Sequence, residues 1–267
     1  MSTDLARTKG TQRQCLREFV RWIGASSLDA QIFEARGLEA AIVPATPQVS
    51  ITNSVVYESI DALDTSLYKL NAVYKEAEVQ AWTVWVPEDD KEVIAMLTDA
   101  RMAFDGDPAA MELSLAGFEA PDPGDLDWDA ECTPSQCAAI NDAAYQKEHD
   151  EGWAPAMTEP AKEPHMRLYR ARASGEPVCT VGTIDRDGDL GIYLVATKPE
   201  HQGRGLMSRL LGQALADASE RGLQTSSLQA SAAGEPVYRG LGYETIFRWH
   251  LYERRTGGPG AAEAAAG

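Results

Sequence analysis

Apolar positions recur along this chain with two spacings, and their succession lays out amphipathic helices and half-buried strands. Leu16, Phe19, Val20 and Ile23 share one face of a helix predicted over residues 1–24. Strand-like runs follow at Gln48 to Tyr57, Val79 to Val86 and Ala109 to Leu115, with helical patterns between them at Ile60 to Ala77 and Asp89 to Arg101. The segment Ala120-Pro-Asp-Pro-Gly-Asp125 then interrupts the pattern with proline and glycine. Beyond it, Asp127 to Glu131 reads as a strand and Pro134 to Tyr145 as a helix capped by Thr133. His165 to Ala173 and Val178 to Asp185 form a hairpin about Ser174-Gly175-Glu176, and Asp187-Gly188-Asp189 turns into the strand Leu190 to Ala196. Leu206, Met207, Leu210, Leu211, Ala214, Leu215 and Ala218 mark one face of the next helix, which Gly222 ends. Gln224 to Ser231 is a strand, Gly234 to Tyr243 a short helix running into a turn, and Glu244 to Arg254 a closing strand. The pattern predicts strands and helices in mixed succession. Length and the proline-rich break divide it into residues 1–120, a linker at 121–126, a second domain at 127–255, and a disordered Gly/Ala tail at 256–267.

The most informative stretch is Thr197-Lys-Pro-Glu-His-Gln-Gly-Arg-Gly-Leu-Met207, a polar loop between a strand and a helix. A helix start carries unpaired N–H groups and the positive end of the macrodipole, and Gly203 and Gly205, lacking Cβ, let a pyrophosphate approach the backbone. The third glycine of a dinucleotide-binding fingerprint and the Gly-Lys-Ser/Thr of a P-loop are both missing.

The run resembles the coenzyme loop of the GCN5-related N-acetyltransferases, Arg/Gln-x-x-Gly-x-Gly/Ala, through Gln202, Gly205 and, with a larger side chain than usual, Met207. A second motif of that family, Asn-x-x-Ala-x-x-Leu-Tyr-x-x-x-Gly-Phe, is matched by Ser231, Gly234, Val237, Tyr238, Gly242 and Tyr243, with the asparagine and alanine replaced. The resemblance covers residues 127–255 in order. It implies an α+β fold of mixed, mostly antiparallel sheets flanked by helices, and an acetyl-CoA-dependent acetyltransferase domain that binds the coenzyme through Val195, Ala196, Thr197, Gln202, Gly203, Arg204, Gly205, Leu206, Met207, Ser231 and Tyr238. It further implies that Tyr238 protonates the departing thiolate. The first half repeats a similar succession without a Gln-x-x-Gly-x-Gly after Tyr57, so it is identified as a degenerate acetyltransferase-like half of a tandem arrangement.

Composition narrows the partners. With 24 Lys plus Arg against 41 Asp plus Glu, the net charge is −17, which disfavours nucleic acid and favours a cationic acceptor. No apolar run reaches the length of a membrane span and no signal peptide is evident, so the expectation is a cytoplasmic protein with no membrane partner. Cys15, Cys132, Cys137 and Cys179 lack the C-x-x-C spacing of a metal or redox site, and the four histidines are dispersed, so no metal is expected. The implied acceptor is the primary amine of a small molecule, attacked directly in a ternary complex. A protein amine, or a coenzyme-binding sensor without turnover, are the alternatives. Glu148, Asp150 and Glu151 lie in the connection after the Pro134 to Tyr145 helix, where the family's acceptor pocket is bordered, but no residue is assigned as base. Oligomeric state is left open by the sequence.

Overall fold

The computed structural model describes residues 2–145, 153–157 and 165–256. The expected tail from residue 257 onward, and Glu148, Asp150 and Glu151, lie outside the described residues. In chain order the elements are α1 (Ser2–Ser26), β1 (Gln31–Ala35), β2 (Leu38–Ile42), β3 (Ser54–Tyr57), α2 (Ile60–Glu76), β4 (Ala81–Pro87), α3 (Lys91–Asp99), β5 (Ala103–Gly106) and β6 (Ala109–Ser114). They continue with β7 (Asp127–Asp129), α4 (Pro134–Tyr145), β8 (Met166–Ala173), β9 (Glu176–Arg186), β10 (Asp189–Thr197), α5 (Leu206–Glu220), β11 (Thr225–Ala230), α6 (Glu235–Gly240) and β12 (Glu244–Arg255).

The chain forms two compact units. The loop unit comprises Met1–Phe19 and Ala109–Phe247, and the companion unit Val20–Pro108 and Arg248–Gly267. These units differ from a division at residues 120 and 127. β6, the last strand of the expected first half, pairs antiparallel with β11 from Ser114↔Thr225 to Ala109↔Ala230 and so belongs with the loop unit. The segment Trp249 to Arg255 of β12 pairs with β4 of the companion unit. Strand pairing across sequence, which periodicity does not encode, makes this exchange.

The loop unit's sheet runs β7-β8-β9-β10-β11-β6 and is antiparallel except at the β10–β11 pair. A parallel pair needs a crossover, and α5 supplies it. Leu210, Leu211, Ala214, Leu215 and Ala218 of α5 are fully buried against Val181, Leu190, Ile192 and Leu228 on one sheet face. Each leucine so buried contributes about 1.5–3 kcal/mol. α4 lies on the other face, because Thr180, which alternates with the α5-facing Cys179 and Val181, donates its hydroxyl to Cys137 Sγ of α4 at 3.1 Å. α4 begins with a capping box: Gln136 N–H donates to Thr133 Oγ1 and Thr133 N–H to Gln136 Oε1, both at 3.2 Å. The proline segment is docked on α5, with Gln213 Nε2 donating to Pro121 O at 3.2 Å and Arg209 to Pro123 O at 3.1 Å. Gly212 is where Pro121 closes on the helix, leaving no room for a Cβ.

The companion unit's sheet runs β1-β2-β3-β4-β12-β5, antiparallel except at β3–β4, with α2 as the crossover. Its β1–β2 hairpin, and β5, were not foreseen. Leu38-Glu-Ala-Ala-Ile42 is alanine-rich and lacks the β-branched content that marks a strand, and four-residue β5 is too short to show a period.

Candidate active site

β10 and β11 are paired only from Asp189↔Thr225 to Ile192↔Leu228. Beyond that point β10 stays on β9, through Ala196↔Thr180 and Thr197↔Cys179, while β11 stays on β6 up to Ala230. The two strands therefore part, and a gap opens between Tyr193–Thr197 and the end of β11. At the point of parting β10 carries a bulge between Tyr193 and Ala196, with Leu194 in the left-handed region at φ 52°.

The expected coenzyme loop follows directly. Pro199–His201 makes one 3-10 turn, Lys198 N–H donates to Val178 O at 2.9 Å, and Gln202 Nε2 reaches back to Thr197 O at 3.0 Å. Arg204 likewise folds onto Glu200 O at 2.9 Å. Gly205 is the N-cap of α5 at φ 70°, with no side-chain cap and no acidic residue in the first turn. A Cβ added at Gly203 or Gly205 would meet nothing within 4 Å. These are the features an anion cradle requires: a helix start whose N–H groups are not taken by a side chain, with open space in front of it. Met207, larger than the small residue typical of the motif, packs against the α5-side core together with Leu206 and Val195.

Tyr238 lies on α6 and packs against that same core, with its ring edge-on to Tyr243 at 5.9 Å. Burial pushes its phenol well above the ordinary 10.0, and Tyr145 and Cys179 add to the shift. The phenol is therefore protonated at neutral pH, and its ring packs on the same core cluster as Val195 and Met207. Tyr243 is buried and shares a 2.7 Å hydrogen bond with Ser226, which donates to Leu190 O, so the glycine-aromatic end of the motif anchors α6 to the sheet. Ser231 is spent locally: its hydroxyl accepts from Gly234 N–H at 3.2 Å and its carbonyl from Glu235 N–H at 2.9 Å, at the start of α6.

The structure therefore places Val195, Ala196, Thr197 and the loop 202–207 along one side of the gap, packs Tyr238 on the core cluster that Val195 and Met207 also join, and sets Ser231 where β11 turns into α6. It adds two residues that the sequence reading passed over, Asn141 and Tyr145 of α4. Asn141 Nδ2 reaches Leu194 O at 3.4 Å and Tyr145 Oη reaches Val195 O at 3.3 Å. Their i, i+4 spacing on a helix was visible, but nothing in it pointed to β10. Among the described residues no group of three or more His, Cys, Asp or Glu sits close enough to hold a metal ion, and no helix is long and apolar enough to cross a membrane.

Residues 135–246 match the family model for the acetyltransferase (GNAT) domain. Solved structures share the fold over most of the chain. A GCN5-related N-acetyltransferase from Kribbella flavida is similar at 15% identity and TM-score 0.64, covering 92% of this chain and 96% of its own. One from Sphaerobacter thermophilus is similar at 16% identity and TM-score 0.55, over 91% and 93%. A tandem GNAT protein from the clavulanic acid biosynthesis pathway is similar at 12% identity and TM-score 0.54, over 91% and 95%. The fold that carries this site is thus a GNAT-type acetyltransferase fold, the class whose domains use acetyl-CoA. No curated protein matches the sequence.

Proposed function

We propose that this protein is an acetyl-CoA-dependent N-acetyltransferase that acetylates the primary amine of a small molecule by direct attack in a ternary complex. The observation that carries this reading is the uncapped, glycine-led start of α5 beside parted β10 and β11 strands. When bound, the coenzyme supplies an activated acetyl thioester. Gly203 to Met207 hold its pyrophosphate through backbone N–H groups, and Val195 and Thr197 offer backbone partners along the gap. A backbone N–H at the bulge would polarise the thioester carbonyl, and between Val195 and Ala196 the Val195 N–H is the better placed. Lys198 N–H bonds Val178 O, and ladder alternation makes Ala196↔Thr180 the next bonded pair, which commits the Ala196 N–H to β9. Tyr238 holds the proton that the leaving sulfur needs.

The companion unit is, on this proposal, the degenerate half of a tandem pair. Its own strand-to-helix turn carries a serine cap in place of the glycines. The net charge of −17 supports a cationic acceptor, and a cytoplasmic setting without nucleic acid or membrane partners accords with the composition. Three features raise a sensor without turnover, Met207, Ser231 and the lack of an assigned base; the first two have structural employment in the core and at the α6 start, and the third is what the thiol-release screen decides. The test is an acetyl-CoA thiol-release screen over amines, aminoglycosides, amino acids and peptides. Release with a small amine supports the proposal; release with peptides alone would change the acceptor class, and coenzyme binding with no release on any amine would make the protein a sensor.

A further inference from the structure

We propose that Asn141 and Tyr145 are positioning residues for this reaction: from α4 they hold two successive carbonyls of the β10 bulge and thereby aim the Val195 N–H at the coenzyme side of the sheet. The inference rests on the acetyltransferase reading above and deepens it.

Leu194 sits at φ 52°, a conformation that an L side chain with a Cβ adopts only when its surroundings compensate the strain. The compensation comes from α4. Asn141 uses one amide proton on its own helix, to Cys137 O at 2.9 Å, and the other on Leu194 O at 3.4 Å. One turn further on, the Tyr145 hydroxyl donates to Val195 O at 3.3 Å. Residues four apart share a helix face, so the pair forms a two-point clamp on consecutive peptides.

A trans peptide is planar and its C=O and N–H point in opposite directions. With the Leu194 carbonyl drawn toward α4, the Val195 N–H must face away from α4, toward the α5 face, where the loop 202–207 begins the helix. Tyr145 acts on the next peptide, the one that carries the Ala196 N–H, so Asn141 is the partner that sets the Val195 N–H directly and Tyr145 steadies the peptide after it. Loss of the Asn141 bond frees the Leu194 peptide to rotate toward ordinary extended geometry, which carries the Val195 N–H out of position. A misplacement of about 1 Å can cost about 10²-fold in rate. The coenzyme's pyrophosphate, held by the loop, is untouched.

The experiment compares the full-length wild type with Asn141→Ala and Tyr145→Phe, using coenzyme A, acetyl-CoA and the thioether S-ethyl-coenzyme A, which lacks the carbonyl. In the wild type, acetyl-CoA should bind more tightly than the thioether. In Asn141→Ala that preference should shrink and kcat should fall about 10-fold to 100-fold, while the affinities for coenzyme A and for the thioether change by less than about 2-fold. Tyr145→Phe should move the same quantities in the same direction by less. A merely structural role would instead lower the melting temperature and weaken all three ligands together. Should Asn141→Ala fail to fold, Asn141→Asp, which keeps the shape and removes the donor, carries the comparison. A folded variant with wild-type kcat and an unchanged carbonyl preference overturns the proposal. A wild type that binds no coenzyme A overturns the acetyltransferase reading itself, and that failure shows before any variant is compared.

Discussion

Two strand-to-helix turns in this molecule connect parallel strands, and they end their helices in opposite ways. In the loop unit, β10 leads into α5 through Gly203 and Gly205, both at positive φ, and the helix start has neither a side-chain cap nor an acidic first turn. In the companion unit, β3 leads into α2 through Tyr57-Glu58-Ser59. Ser59 Oγ accepts the Ala62 N–H at 3.3 Å and Asp61 lies in the first turn. Glu58 N–H is bonded to Gly37 O at 2.8 Å, which holds the turn against the β1–β2 hairpin. The β3 end is occupied as well, since Tyr57 is buried and donates to Asp90 Oδ2 at 2.7 Å. An α2 start that satisfies its own N–H groups and adds carboxylates is stabilised as a helix and closed to an anion. One topology thus leaves one helix start open and closes the other, according to whether glycine or serine stands at the cap.

The largest effect expected of any change to this arrangement is that of removing the exchanged strands. A chain beginning at Pro121 lacks β6, whose Ala109, Ala110 and Met111 are fully buried, and lacks the α1 segment of the loop unit. It should fail to unfold cooperatively by circular dichroism, because the β11 edge loses its partner and the core its wall. A cooperative fold with full coenzyme affinity would show that β6 is dispensable.

Next in size is Tyr238→Phe, which keeps the ring and removes the proton donor. Turnover should fall by about 10²-fold to 10⁴-fold with little change in acetyl-CoA affinity. The direction of the pH effect follows from the raised phenol pKa. A group whose pKa is pushed up stays protonated as pH climbs, so Tyr238 should impose no descending limb on the wild-type profile below its ordinary value of 10.0. A kcat profile that falls through a group titrating below that value, and loses this limb in Tyr238→Phe, would contradict the raised pKa; a Tyr238→Phe variant with wild-type turnover would contradict the role of proton donor.

The smallest is Ser59→Ala in α2. Losing this cap should cost about 1 kcal/mol of stability and leave coenzyme affinity unchanged. Thermal unfolding with a parallel calorimetric titration reads both; a change in affinity would place the second turn in coenzyme binding after all.

Much of this site was legible because its elements obey local rules. Pro134–Tyr145 shows its capping box as Thr-Pro-Ser-Gln, α5 shows its apolar stripe, and Gly203 and Gly205 mark a turn that no residue with a Cβ would favour. What stayed hidden depends on pairing across the chain. Nothing in Ala109 to Ser114 says that its partner is β11 rather than a strand of the preceding half, and β12 serves β4 and β5 only because the fold inserts it between them. The Leu194 bulge was equally silent. Glycine or asparagine at positive φ announces itself in a sequence; leucine does not, and Leu194 shows only in the structure, where Asn141 hydrogen-bonds its carbonyl.

The central claim, one coenzyme site per chain at the start of α5, is tested most directly by calorimetric titration of the full chain with acetyl-CoA, repeated on Gly205→Glu. The account predicts a stoichiometry of one for the wild type. It predicts no measurable binding for the variant, whose carboxylate would stand where phosphate must meet backbone N–H groups and whose Cβ is strained at φ 70°. A stoichiometry of two, or unchanged affinity in a folded Gly205→Glu, would contradict it.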